Sequence, residues 1–178
     1  GTNNLPDCSN MCHESSGKWL CSNICIGKGT VKLYDFNHSD LILVFGQNPG
    51  TNHPRMLTAL KDAKNHGAKI VHINPLPEAG LERFKHPQDY MKFDFKSTKL
   101  SDYHLQVKIG GDAALIKGLI KVHLDNGGLD NQFINDYTHG YDSMVESVKK
   151  TSWENIVNDS GVERELIEKI GNCLLYTS

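Results

Sequence analysis

The sequence predicts an α/β fold in which a parallel sheet is flanked by helices. Two observations carry that expectation. Asp40-Leu-Ile-Leu-Val-Phe-Gly46 and Ala68-Lys-Ile-Val-His-Ile73 are short apolar runs, each closed by a turn residue. Strands buried on both faces of a sheet read this way. Between them Met56, Leu57, Leu60 and Ala63 keep helical spacing, so strand, helix and strand follow one another as a βαβ unit.

The elements follow in chain order. A helix is expected from Ser15 to Ile24, then the strand ending at Gly46. Gln47-Asn-Pro-Gly-Thr-Asn-His53 is a turn-rich loop, and Pro54 suits the first position of the next helix, with Asn52 or His53 as its cap. Gly67 is the expected left-handed stop, and the second strand halts at Asn74-Pro75. Pro75 to Lys99 reads as irregular and aromatic, with a short helix near Glu78 to Phe84. Leu105 to Ile109 reads as a third strand, followed by Gly110-Gly-Asp112 and a helix from Ala113 to Leu124. Asn126-Gly-Gly128 breaks that helix. Short helices are expected at Gln132–Asp136, Tyr141–Lys150, Trp153–Val157 and Val162–Ile170, the last opened by Ser160-Gly-Val-Glu163 as a capping box.

The 178 residues suffice for one domain with a hydrophobic core, expected to span 1–172. Cys173-Leu-Leu-Tyr-Thr-Ser178 departs from the charged helical pattern before it and reads as a strand start or as a truncated or non-native tail. The chain has no initiating Met and opens inside a motif, so an internal fragment is expected. Basic and acidic residues nearly balance (19 against 21), and no Lys/Arg run is long enough to track phosphates; a nucleic-acid partner is not expected. The clearest apolar stretch, Leu41 to Phe45, is strand-sized, so no membrane span is expected. Gly1-Thr-Asn-Asn has neither a basic start nor an apolar run, so no secretory signal is expected. Four of the five cysteines crowd into residues 8–25, which suits reduced thiols or metal chemistry in a cytoplasmic protein better than a disulfide scaffold.

Ligands of open α/β sheets bind at the carboxyl ends of the strands. Three loops therefore stand as candidates: Gly46 to His53, Asn74 to Glu78, and Gly110-Gly111-Asp112. Each carries Gly or Pro beside amide or carboxylate groups, and a helix N-terminus after the first offers free N–H groups to an anion. Ordinary connections remain an open reading. A nicotinamide site fits poorly, because Gly46-Gln-Asn-Pro-Gly50 lacks the G-x-G-x-x-G pattern and the second strand ends in Asn74 instead of an acidic residue. No Walker pattern is present.

Asp7-Cys8-Ser-Asn-Met-Cys12-His13-Glu14 sets a thiol beside an imidazole on a loop running into a helix start. Such a thiolate can act as nucleophile or as a soft metal ligand. Cys8/Cys12 and Cys21/Cys25 are C-x₃-C pairs, weaker marks of zinc or iron–sulfur than C-x₂-C pairs. Cys21 and Cys25 are expected as small buried thiols packing their helix. His53 is open between ligand contact and helix cap. His72, in mid-strand, is expected to be a hydrogen-bonded core or sheet-face residue, and Asp112 an N-cap that also lies where a buried carboxylate could accept two N–H bonds from a guanine edge.

Together these residues resemble the molybdopterin oxidoreductase family, in its formate dehydrogenase α-subunit-like branch. The resemblance rests on Asn3 to Ser16, Gly27-Lys-Gly-Thr-Val31, Asp40 to Met56, Gly67 to Leu76, Gly80-Leu-Glu-Arg-Phe84 and Ile109 to Leu115, in order from residue 3 to about 170. It implies the Rossmann-like, dinucleotide-binding part of a catalytic subunit. It also implies a molybdenum bis(molybdopterin guanine dinucleotide) cofactor with Cys12 as metal ligand and His13 at the adjacent active-site position. Gly46, Asn48, Pro49, Thr51, Asn52, His53, Asn74, Pro75, Gly110, Gly111 and Asp112 fall on the cofactor loops. Formate dehydrogenases usually carry Arg before the ligand Cys, Pro after the His and Asp-Pro-Arg at the second strand; Asn10, Ser15 and Asn74-Pro-Leu76 stand here instead. The resemblance thus extends further for the cofactor than for formate.

The implied activity is two-electron redox chemistry on a small-molecule substrate, with a [4Fe-4S] cluster and a redox partner belonging to the full-length protein. The fragment alone is expected to be inactive. Rival readings are a non-catalytic scaffold or electron-transfer subunit, and a structural metal site on Cys8, Cys12, Cys21 and Cys25.

Overall fold

The structure is a computed structural model that describes residues 1–5, 7–85 and 97–176, with the backbone alone for Cys8. Part of the aromatic stretch between Pro75 and Lys99 (86–96), Pro6 of the first motif and the tail residues 177–178 lie outside the described residues. The chain divides into two compact units, Gly1–Asp35 and Phe36–Ser178.

In the first unit α1 (Cys8–Cys12) and α2 (Glu14–Ile24) are separated by His13 alone. Asp7 caps α1 by accepting the Asn10 N–H at 2.9 Å. α2 stops at Cys25, whose φ of 60° makes it the only non-glycine residue in the left-handed region among the described residues. None of the described side chains of α2 is buried. The expectation of buried thiols at Cys21 and Cys25 is therefore corrected, since both are exposed. A 3₁₀ helix, Leu33–His38, follows in the chain and spans the boundary between the two units.

The second unit carries a parallel three-stranded sheet in the order β1 (Leu41–Phe45), β2 (Lys69–Ile73), β3 (Tyr103–Leu105). Between β1 and β2 come α3 (Pro49–Asn52) and α4 (Pro54–Asn65), and α5 (Ala79–Glu82) follows β2. The chain then runs through α6 (Asp112–Asn126), α7 (Asn131–Tyr137), α8 (Tyr141–Lys150), α9 (Trp153–Ser160) and α10 (Arg164–Leu175). Strand alternation divides the apolar residues between two faces. Ile42, Val44 and Ile70 pack with Leu57, Leu60 and Ala63 of α4 and with Leu81, Phe84 and Leu100. Val71, Ile73 and Leu105 pack with Leu115 and Leu119 of α6, Ile156 of α9, and Ile167 and Ile170 of α10. Each fully buried Leu or Ile contributes ~2 kcal/mol of transfer free energy, so these two clusters hold the sheet.

Several elements fall elsewhere than their residues predict. The third strand is Tyr103–Leu105, not Leu105 to Ile109. His104 pairs in register with His72, and Asp102 anchors the strand start by accepting the Ile70 N–H at 2.8 Å and the Lys64 ammonium at 2.7 Å. Beyond Leu105 the backbone turns away, the Lys108 N–H donating to Ser160 O at 2.8 Å, and Ile109 is 93% exposed. Ser160 ends α9 and does not open α10; its hydroxyl accepts the Val162 N–H at 3.2 Å, and Glu163 holds the N-cap position. α10 runs on through Cys173 to Leu175, where a strand start was one expectation.

Candidate functional site

Because the strands are parallel and in register, the segments after Phe45, Ile73 and Leu105 all leave the same edge of the sheet. The first, Gly46 to His53, starts with the Gly46 N–H donating to Ile73 O at 2.8 Å. It then forms α3, an element its turn-rich composition hides. Pro49 fixes the first helical position, and Asn48 caps the turn by accepting the Thr51 N–H on Oδ1 at 3.2 Å.

α4 begins one residue after α3. His53 holds its N-cap position as one reading expected, but makes no side-chain capping bond. Instead Gln47 Nε2 donates to His53 Nδ1 at 2.6 Å. Gln47, His53, Pro54, Arg55 and Met56 line an open cleft of about 610 Å³ at this helix start. Pro54 has no N–H and the Met56 N–H donates to His53 O at 2.9 Å, so the Arg55 guanidinium is what suits that cleft to an anion. Pro49 is buried, whereas Gly46, Thr51, Asn52 and His53 are exposed.

The second loop is drawn onto the first by one carboxylate. Glu78 accepts from Asn48 Nδ2 at 2.6 Å on Oε2 and from Asn74 Nδ2 at 2.9 Å on Oε1. The backbones approach too closely for side chains at this point. A Cβ on Gly80 would stand 2.9 Å from the Cα of Gly50, so the meeting of α3 and α5 requires glycine at position 80, and a Cβ on Gly50 would be tight at 3.1 Å from the Cα of Gly80. Asn74 is held on three sides: its N–H donates to Leu105 O at 3.1 Å, and its carbonyl accepts from His104 Nε2 at 3.0 Å. Pro75 O accepts from Gln106 Nε2 at 3.0 Å.

Gly110, Gly111 and Asp112 lie after β3 but are held elsewhere. Gly111 is packed under α9, where a Cβ would meet Asp159 O at 2.6 Å. Asp112 is the first residue of α6 and makes no capping bond, correcting its expected role as N-cap; Gly111 holds that position. Gly110 lines a separate cavity of about 390 Å³ with Lys117, Thr151 and Asp159. The structure thus ties the first two loops together by Asn48, Asn74 and Glu78, and packs Gly111 against α9.

His72 also departs from expectation. It is fully buried, yet neither ring nitrogen has a hydrogen-bond partner. It stacks on His104 with ring centroids 5.0 Å apart. Burial foremost, and then the neighbouring His104, hold its pKa below the usual imidazole value. For Glu82, burial pulls upward, but the Ser101 hydroxyl and the Lys99 ammonium prevail and hold the carboxyl below its usual value.

In the first unit Cys12 is the last residue of α1, not part of a loop, and its thiol is exposed; His13 follows as the hinge to α2. Among the described residues no three His, Cys, Asp or Glu side chains come together to hold a metal ion. The four-cysteine metal site therefore gains no support, although the Cys8 side chain lies outside those residues. The sequence placed Gln47 and Glu78 on candidate loops without a role for either and did not single out Arg55; the role of Glu78 depends on Asn48, thirty residues away on the other loop.

The second unit is thus an α/β protein with an anion-suited edge at the carboxyl ends of a parallel sheet. Comparison with known proteins narrows that class. No family model matches the chain. It is 43% identical over 98% of its length to an uncharacterized oxidoreductase of Mycobacterium tuberculosis, of which it covers 23%. It is 30% identical over 93% of its length to the F420-dependent formate dehydrogenase subunit alpha of Methanocaldococcus jannaschii, covering 22% of that protein. Among solved structures it resembles acetylene hydratase from Pelobacter acetylenicus with a TM-score of 0.67 at 21% identity, over 96% of this chain and 21% of that one. The chain is therefore related to proteins named as oxidoreductases and spans less than a quarter of their length.

Proposed function

We propose that this chain is the Rossmann-like core that binds molybdopterin guanine dinucleotide in a longer, formate dehydrogenase-like oxidoreductase. The observation that carries this reading is the Asn48–Glu78–Asn74 bridge, which closes two sheet-edge loops beside the N-terminus of α4. The relationship to a formate dehydrogenase α subunit supports it.

The residues fit such a group. The Arg55 guanidinium in its open cleft suits a diphosphate. Cys12 offers an exposed soft thiol donor to a metal. When bound, the cofactor supplies two-electron redox chemistry at molybdenum or tungsten. The chain's own part is to bind and orient it. Gly46, Pro49, Thr51, Asn52 and His53 would form one wall, Asn74 and Pro75 the next, and Gly110, Gly111 and Asp112 a further contact. His13, next to the Cys12 ligand, would hold the proton that accompanies substrate turnover. The substrate is a small molecule. A [4Fe-4S] cluster and the redox partner belong to other parts of the assembly, and none of Cys8, Cys21, Cys25 or Cys173 is assigned to the cluster. A cytoplasmic setting agrees with the thiols. Among the described residues no helix is long and apolar enough to cross a membrane.

The test is Cys12→Ala in the full-length protein. Turnover should fall by roughly a thousandfold or more, the scale of removing a group that acts in the transition state, while bound guanine nucleotide stays constant. Wild-type turnover in that variant would overturn the ligand assignment.

A further inference from the structure

The end of the second strand is where dinucleotide-binding α/β proteins place an acidic residue to accept hydrogen bonds from a ribose. This chain has Asn74 there, whose amide offers both a donor and an acceptor. The geometry points to Glu78 as the positioning residue that fixes the Asn74 amide with its Oδ1 left to accept, so that Asn74 Oδ1 receives a ribose hydroxyl of the bound guanine nucleotide. This rests on the function proposed above.

The bonding capacity of the two amides sets their orientation. A carboxylate can only accept, so both asparagines must turn their Nδ2 toward Glu78, at 2.6 Å for Asn48 and 2.9 Å for Asn74. The orientation of Asn48 is fixed a second time, because its Oδ1 accepts the Thr51 N–H at 3.2 Å. With Nδ2 of Asn74 engaged by Glu78, its Oδ1 accepts no hydrogen bond from the described residues. That oxygen is not sealed from solvent either. Among the described residues, the only side-chain nitrogens or oxygens both buried and unpartnered are those of His72. Asn74 cannot drift, since its backbone is pinned to Leu105 O and to His104 Nε2. Glu78 therefore fixes the flip of the Asn74 amide, Nδ2 toward the carboxylate and Oδ1 left to accept.

Glu78→Gln breaks this arrangement in a definite way. The oxygen of the new amide can still accept from Asn48, but its NH₂ then faces Asn74 Nδ2, donor against donor. Asn48 cannot turn without giving up the Thr51 bond, so Asn74 must turn and set its NH₂ where Oδ1 stood. The double variant Asn74→Asp/Glu78→Gln repairs the pattern. The new amide at position 78 donates to the new carboxylate at position 74, whose other oxygen accepts outward.

The experiment titrates the full chain with guanosine diphosphate and with 2′,3′-dideoxyguanosine diphosphate by calorimetry. The wild type should prefer the diphosphate carrying both hydroxyls by about tenfold, the scale of one or two hydrogen bonds. Glu78→Gln should bring that ratio close to one, and the double variant should restore it. Asn74→Ala, which keeps the Glu78–Asn48 bond, should also lose the preference and guards against misfolding of the Glu78→Gln variant. A merely structural role for Glu78 would weaken both ligands equally and leave the ratio intact, which overturns the inference. Failure of the wild type to bind guanosine diphosphate at millimolar concentration would instead overturn the nucleotide reading, and this inference with it.

Discussion

His72 has both ring nitrogens out of water with no partner for either, while its ring lies on His104. An unsatisfied buried polar group costs about 1–3 kcal/mol, and a buried charge more. The folded protein therefore keeps this imidazole neutral, with its pKa lowered chiefly by burial. The unfolded chain takes up the proton near the ordinary imidazole value, so the unfolded state binds more protons below about pH 6.5. Stability from this site is complete above that pH and falls as pH drops toward the lowered folded value, by at most about 1.4 kcal/mol per pH unit. His72→Leu should raise stability at pH 7.5 by ~1–3 kcal/mol and flatten the slope between pH 6.5 and 5 relative to wild type. Urea melts across that range check it; an unchanged slope would remove His72 as its cause. The place of His72 in mid-strand was legible, and with β2 buried on both faces it is a core residue. Its lack of a partner was not legible, because that depends on which residue β3 sets beside it. Glu78 was equally illegible as a clasp, since its two partners stand thirty and four residues away.

Local chemistry defined most elements well and their ends less well. β1, α4, β2 and α8 lie where apolar spacing and Pro54 set them. β3 moved because its apolar run, Leu105 to Ile109, is outweighed by the ladder that pairs Val71, His72 and Ile73 with Tyr103, His104 and Leu105. Asp102 fixes that register from outside the strand. α3 was hidden by Asn, Pro, Gly and Thr, residues whose propensities favour a turn but which also cap and start a helix. Gly111 shows what pairwise packing adds beyond propensity. A Cβ there would meet Asp159 O at 2.6 Å and Ser160 Cα at 2.9 Å, both backbone atoms that a side chain cannot push aside. Gly111→Ala should lower stability by about 2 kcal/mol or more by forcing α9 from the start of α6. A lowered urea midpoint at unchanged slope is the expected reading. An unchanged midpoint would mean that α9 does not press on this turn.

At the scale of the whole molecule, the two units differ in how they bury apolar residues. In the second unit, described residues bury both faces of the sheet. In Gly1–Asp35, by contrast, Met11, Trp19, Val31 and Leu33 are all exposed. The fold class and the two strands of the βαβ unit were readable from the sequence, as were the loops at their carboxyl ends. The clasp between those loops needed three dimensions. The central claim is that a pterin dinucleotide with its metal is held here, within a protein more than four times longer by comparison with its relatives. The most direct measurement is made on the purified full-length protein, by elemental analysis for molybdenum and tungsten and by nucleotide analysis after acid release. The account predicts one such metal and two guanine nucleotides per chain. Intact, folded full-length protein with neither metal nor guanine nucleotide would contradict it.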